Sequence, residues 1–275
     1  VAVLTNIITG IGLLGMPYCF CSGIGSNFLI VVIVASFSMF SFSILIDCAH
    51  RTGVYDYPKL ILSAFPNKNL QWIPDAIIFI ILIGVSVLYL QFSLTLMTDS
   101  LSEIPICPKF LLNRWFLTFV IQFVILSPLI LLKTMHRLSF VSVVSFILLF
   151  FYMFHSIFYF AIEVSHHSFD SNHEIKIFDF HISVLISTFA IQSSSYTCHT
   201  NIFPTLVTLY NPTKFRMNLT MFFVIVTATL IYSIGGIFPY FTLFNKITDP
   251  VVLVHYEKHV FTTIIKVCYS ILLII

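Results

Sequence analysis

Two stretches of this chain place polar or helix-weakening residues inside otherwise apolar sequence, and both are arranged to bare backbone groups. The first reads Asn6-Ile7-Ile8-Thr9-Gly10-Ile11-Gly12-Leu13-Leu14-Gly15-Met16-Pro17-Tyr18. Glycine and proline weaken a helix, and at membrane depth a broken helix is tolerated only where the freed backbone lines a cavity. Amides released at Thr9 to Gly12 would form the start of a half-helix, a cluster of N–H donors at the positive end of a dipole and a natural seat for a carboxylate. The same glycines serve equally well as a face on which two helices approach closely. The second stretch reads Gln192-Ser193-Ser194-Ser195-Tyr196-Thr197-Cys198-His199-Thr200-Asn201-Ile202-Phe203-Pro204. Its hydroxyls can satisfy a bend at Pro204 by bonding back to their own helix. Two interrupted helices five spans apart nevertheless match an inverted repeat of five helices, with a small-solute site at the midplane between them.

Ionisable groups inside apolar segments are the next candidates. His199 lies within the second stretch, and an imidazole there can sense protons, since it titrates in the physiological range. The alternative is a neutral ring bonded to a backbone carbonyl beside the break. His155 also lies in a span, without a comparable motif. His166, His167, His173 and His181 crowd one loop with carboxylates at spacings that fit no standard metal site. Cys19 and Cys21 form C-x-C without a second pair, which reads as packing, so no metal is expected. In the third span Gly84, Ser86 and Tyr89 are expected to face the cavity.

The elements that must position these residues are membrane helices. The chain has 275 residues, 59% of them hydrophobic and only 9% charged, far from the composition of a soluble domain. Its first charged side chain is Asp47, after a run long enough for two spans of about 20 residues. Polar breaks delimit spans near 3–22, 28–47, 75–97, 115–133, 138–162, 182–209 and 217–244, with an eighth beginning near 259. Backbone in hydrocarbon must bond internally, so each span is predicted helical. A start at Val1 and an end within an apolar run suggest a segment of about seven and a half helices from a longer chain. With the N-terminus inside, the inner loops carry more cations (Arg51, Lys59, Lys68, Lys133, Arg137, Lys214, Arg216) than the outer ones (Lys109, Arg114, Lys176, Lys246, Lys258). Acidic residues, Asp99 and Glu103 among them, collect in the outer loops. No basic cluster suggests nucleic acid; the lipid bilayer is the expected surrounding.

The two motifs resemble the amino acid/auxin permease family, in particular its sodium-coupled neutral amino acid transporter branch. Asn6-x-x-x-Gly10-x-Gly12-x-Leu14-Gly15 with Pro17-Tyr18 is similar to the family's first-helix signature. Tyr196-Thr197-Cys198-His199, then Pro204 and Lys214-x-Arg216-Met217, is similar to its sixth helix and the basic loop that follows. Weaker likenesses are Ser127-Pro128-Leu129 through Lys133 and Gly235-Gly236. The resemblance implies an all-α, LeuT-type five-plus-five inverted-repeat fold, with a first repeat over 1–162 and an incomplete second over 163–275. It further implies alternating access, with neutral amino acids as substrates, sodium ions or protons as the coupling ion, and a plasma or vacuolar/lysosomal membrane. Carried across residue by residue, the substrate would meet Thr9, Gly10, Ile11, Gly12, Ser194, Ser195 and Tyr196. Asn6 would stand near the coupling cation. Ile11 departs from the small polar residue common at its place, which implies a less polar pocket.

Three other functions compete. A membrane amino acid sensor would use the same fold and binding site. A heptahelical receptor would need an acidic-Arg-aromatic triplet closing the third span, which instead ends Thr98-Asp99-Ser100. An enzyme is not expected, since no paired aspartates, His-Glu-x-x-His or serine-histidine arrangement lies within the spans.

Overall fold

The computed structural model describes residues 2–65, 70–103, 108–127, 135–166, 175–178, 181–207, 209–257 and 259–274. Its helices follow the apolar spans. In chain order they are α1 (Ala2–Phe20), α2 (Ile24–Thr52), the short α3 (Tyr57–Ala64), α4 (Trp72–Ser102), α5 (Arg114–Val120, continued by a π-helical turn over Ile121–Leu126) and α6 (Met135–His166). There follow α7 (Ile182–Ser195), α8 (Ile202–Val207), α9 (Lys214–Leu243) and α10 (Val260–Ile274). The described residues contain no strand. Helices α2, α4, α6 over Val143–Ser165, and α9 are long and apolar enough to cross a membrane.

Local chemistry sets several of the ends. Gly53, at φ 70°, stops α2 in the left-handed conformation that glycine adopts without steric cost. Asn113 accepts the Trp115 N–H at 3.0 Å to start α5, and Thr213 accepts the Arg216 N–H at 3.4 Å to start α9. The first amides of α2 are satisfied from elsewhere in the chain: Ile24 and Gly25 donate to the carbonyls of Lys176 and Ile177, at 3.1 and 2.7 Å.

The core is built around α1. Leu4, Ile8, Leu13, Leu14, Met16 and Phe20 are all buried, and the helix packs chiefly on α9 and next on α7. A Cβ at Gly235 of α9 would stand 2.4 Å from the Leu13 side chain, so the absence of one lets the two helices meet. On the other side α10 runs along α4. The surface around this core is apolar, as hydrocarbon requires, with Phe79, Ile80, Leu82 and Val87 exposed on α4. Here the structure corrects an expectation. Over Ile77–Leu88 α4 stands clear of its neighbours, a Cβ at Gly84 would meet nothing within 4 Å, and exposed Ser86 bonds back to the Leu82 carbonyl at 2.7 Å. Of the three residues expected to face a cavity, only Tyr89 turns inward.

Charged groups tie the helix ends. Near the end of α2, Asp47 takes Lys214 of α9 at 2.5 Å and Arg51 at 3.1 Å. At the other end of the helices Lys266 of α10 reaches Asp99 of α4 at 2.6 Å, and the pairs Ser93–Ser270, Asp99–Lys266 and Glu103–Thr263 run in opposite order along the two helices, which are antiparallel.

Candidate functional site

The sixth span is interrupted where its polarity is greatest. Helix α7 ends at Ser195, Tyr196 and Cys198 leave helical geometry, and a 3-10 turn over His199–Asn201 leads into α8. Pro204 does not make the break; it sits in the first turn of α8, where its missing N–H has no intrahelical partner to lose. Tyrosine hydroxyls reach the carbonyls on both sides of the interruption. Tyr57 of α3 donates to the His199 carbonyl, and Tyr232 of α9 lies 3.1 Å from the Ser195 carbonyl. Burial holds the Tyr57 phenol above the ordinary tyrosine range, so it remains a donor at physiological pH.

The first span differs from its expectation. Helix α1 runs without a break through Thr9, Gly10, Ile11 and Gly12, with Pro17 inside it, so no half-helix terminus offers free amides there. The reason is visible around the glycines. A Cβ at Gly10 would stand 2.4 Å from the Tyr89 hydroxyl; one at Gly12 would stand 2.5 Å from Ser195 Oγ and 2.6 Å from the Tyr232 hydroxyl. The small residues serve close approach, and the helix keeps its own hydrogen bonds while neighbours fill the space a side chain would take.

What these neighbours bring is a ring of tyrosine hydroxyls aimed at backbone. The Tyr232 hydroxyl lies 2.5 Å from the Ile8 carbonyl as well as 3.1 Å from that of Ser195, so one proton is shared between α1 and the broken α7. Tyr269 of α10 donates to the Gly10 carbonyl at 2.9 Å. Tyr196 is buried and exchanges a hydrogen bond of 2.7 Å with Thr229, its ring edge-on to that of Tyr232 at 5.4 Å. A carbonyl has two lone pairs, so Ile8 and Gly10 can accept these hydroxyls without giving up their helix.

The residues expected to hold substrate therefore divide. Gly12, Ser195 and Tyr196 meet around Tyr232, and Gly10 meets Tyr89 and Tyr269. Thr9 is buried and donates to Thr5 of its own helix at 2.8 Å; Ser194 and Ser195 both bond back to the Ile191 carbonyl, at 2.9 and 2.6 Å, and of these two only Ser194 is exposed. The side chains of Asn6 and Ile11 lie outside the described residues, as do His167 and His173. His199 sits beside α2 and α3, its Nε2 3.0 Å from Ser41 Oγ and its ring 4.2 Å from that of Phe42. Among the described residues no group of three His, Cys, Asp or Glu side chains is placed to hold a metal ion.

One cluster carries no motif in the sequence. Lys266, fully buried, pairs with Asp99 at 2.6 Å and Glu103 at 2.8 Å; Glu103 also accepts the Thr263 hydroxyl. Asp99 and Glu103 are thus not solvated loop residues, as their place at the end of a span suggests, but the counter-charges of a lysine between helices. The available signal was Lys266 as the lone charge of the apolar run 260–275.

Comparison with known proteins gives the family. The profile of the family described as "Transmembrane amino acid transporter protein" matches residues 1–275. Vacuolar amino acid transporter 5 of Schizosaccharomyces pombe is 27% identical over 260 residues, covering 93% of this chain and 60% of that protein. The chain thus spans less than two thirds of the length of that relative. No solved structure matches the chain. The family match runs the whole length, through both motifs and all the helices they position, and the chain belongs to the transmembrane amino acid transporter proteins, an integral membrane family of carriers and not of enzymes.

Proposed function

We propose that the chain acts in secondary transport of neutral amino acids, with the substrate held where Gly10 and Gly12 of α1 meet Tyr89, Tyr232, Tyr269 and the interruption after Ser195. The observation that carries this reading is Tyr232, whose one hydroxyl spans the carbonyls of Ile8 and Ser195 at 2.5 and 3.1 Å. Those carbonyls suit an ammonium, and the tyrosine hydroxyls that now occupy them suit a carboxylate. An amino acid can replace both halves of the contact at once. The side chains around it, Tyr89, Tyr196, Thr229 and Ser195, are uncharged, which favours a substrate with no net charge. In this reading the tyrosines close the site while it is empty, and alternating access opens it from one side and then the other.

The five-plus-five repeat, with its halves at 1–162 and 163–275, accounts for the interruption in the sixth span and belongs to the same proposal. The S. pombe relative, named for the vacuole, supports a vacuolar membrane over the plasma membrane. As for a sodium ion, Ser93 of α4 and Ser270 of α10 lie buried between those helices, but their hydroxyls bond each other at 2.8 Å and each other's carbonyls at 3.3 and 3.0 Å. Paired oxygens of this kind do not form a cation cage, and Asn6 remains the candidate side chain for a metal cation.

The test is uptake of labelled neutral amino acids into proteoliposomes carrying the full-length protein. Uptake is expected for the wild type and lost in Gly10→Leu with membrane insertion intact. Binding without uptake would mark a sensor instead, and normal uptake by the variant would remove the site from α1.

A further inference from the structure

Helix α8 is the short half of the broken span, and α3 lies against it. The His199 carbonyl between α7 and α8 accepts twice, from the Ile202 N–H and from the Tyr57 hydroxyl of α3, so both of its lone pairs are used. The Tyr57 ring lies on that of Phe203, buried at the start of α8, with centroids 4.6 Å apart, and Tyr55 meets the same ring edge-on at 6.4 Å. Cys198, a free and fully buried thiol, sits in the interruption within electrostatic reach of the Tyr57 phenol. A strap carrying two tyrosines therefore lies over the point where the span is broken.

What ties the strap down is slight. None of the eight residues of α3 is fully buried, and Tyr57 and Leu60 are its half-buried contacts with the core. The chain leaves α2 for α3 at Gly53, in the left-handed conformation at φ 70°, where a Cβ would meet nothing within 4 Å. No packing there resists a change of direction, and a few residues of this kind at an element's end are enough to absorb a hinge motion. Helix α2, by contrast, is anchored. Asp47 joins it to Lys214 of α9 at 2.5 Å, and its Ser41 and Phe42 hold the His199 ring at 3.0 and 4.2 Å. Helix α8 has only six residues and is separated from α7 by non-helical backbone, so no continuous helix keeps it in line. A hinge, a light strap and a short half-helix thus share one rigid frame.

We propose that α3 is a lid on the transport path, swinging on Gly53, and that Tyr57 is the positioning residue that holds it shut through the His199 carbonyl. The proposal rests on the transporter reading and names the segment that must move. With the lid shut, α8 is pinned and Cys198 is sealed. With the lid lifted, Phe203 loses both tyrosine rings, α8 turns about the His199 ring that α2 holds, and water reaches the interruption beside Ser195. The latch is a neutral hydroxyl on a backbone oxygen, so opening strips no ion of its partner. One such bond biases the equilibrium by about fivefold, which leaves both states populated enough to exchange during turnover.

The experiment uses the full-length protein in proteoliposomes in two forms, one keeping Cys198 and the other Cys19 as its only cysteine, and reads the rate of labelling by N-ethylmaleimide. Cys19 of α1 is also fully buried and reports any general loosening. Tyr57→Phe keeps the ring on Phe203 and deletes only the hydroxyl. At rest it is expected to label Cys198 about fivefold faster than the wild type, in proportion to the open population, with Cys19 unchanged. An equimolar mixture of neutral amino acids on both sides of the membrane is expected to speed Cys198 labelling in the wild type as well, since each turnover lifts the lid. If Tyr57→Phe does not yield a monodisperse protein, this wild-type comparison is read in its place. Equal Cys198 rates overturn the proposal, and so does a rise in resting Tyr57→Phe that Cys19 shares; with uptake of labelled amino acid intact, both results leave the transporter reading standing. A wild type with neither uptake nor exchange overturns that reading and the lid with it.

Discussion

The hydroxyl of Tyr232 stands 2.5 Å from the carbonyl oxygen of Ile8, although Ile8 lies in the middle of an intact helix. The contact brings α9 to the stretch of α1 where Gly12 leaves room for it, and the same hydroxyl reaches across to Ser195 at the end of α7.

Tyr232→Phe removes this bridge and leaves the aromatic packing against Tyr196. The loss of one buried hydrogen bond is expected to lower stability by about 1 kcal/mol, within the range for such bonds in water and in membranes. The check is a thermal melt of the detergent-solubilised full-length protein, with substrate affinity measured in parallel. If both match the wild type, the hydroxyl has no role and the ring alone matters.

Neighbouring serines separate the inward and outward sides of α7. Ser195→Ala takes a buried hydroxyl from beside Gly12 and is expected to raise the KM for uptake several-fold. Both hydroxyls bond back to the Ile191 carbonyl, but Ser194 is exposed, and Ser194→Ala is expected to leave KM within about twofold, a change below 0.5 kcal/mol. Equal effects in uptake assays would mean that α7 presents a different face to the substrate.

His199 is expected to be structural. Its Nε2 bonds Ser41, its ring lies on Phe42, and its carbonyl is held by Tyr57. His199→Asn should therefore lower the melting temperature while the pH profile of uptake keeps its wild-type shape. A flattened profile in this variant would place proton sensing at the helix break.

Much of this arrangement is legible in the residues themselves. Hydropathy alone places the four long apolar helices α2, α4, α6 and α9, because a membrane helix must be apolar throughout and its polar breaks are sharp. The interruption after Ser195 is legible for the converse reason: a run from Gln192 to Asn201 has no place inside an unbroken span unless it serves a site. Gly10 and Gly12 are ambiguous in principle. Missing side chains permit either a broken helix or a close neighbour, and the choice is made by Tyr89 and Tyr232, whose arrival nothing local to α1 announces. Lys266 shows the same limit. One lysine in an apolar run signals a buried ion, but its partners Asp99 and Glu103 sit at the end of a distant span, where they look like ordinary loop acids.

The most direct test of the central claim is equilibrium binding of a labelled neutral amino acid to purified full-length protein, wild type against Gly12→Ala. The added methyl would fall 2.5 Å from Ser195 Oγ and 2.6 Å from the Tyr232 hydroxyl, inside the proposed site and away from the lipid surface. A weakening of affinity by about tenfold or more, equivalent to some 1.4 kcal/mol, is the expected result. Unchanged affinity in a folded Gly12→Ala protein would contradict the placement of the substrate between α1 and the broken α7.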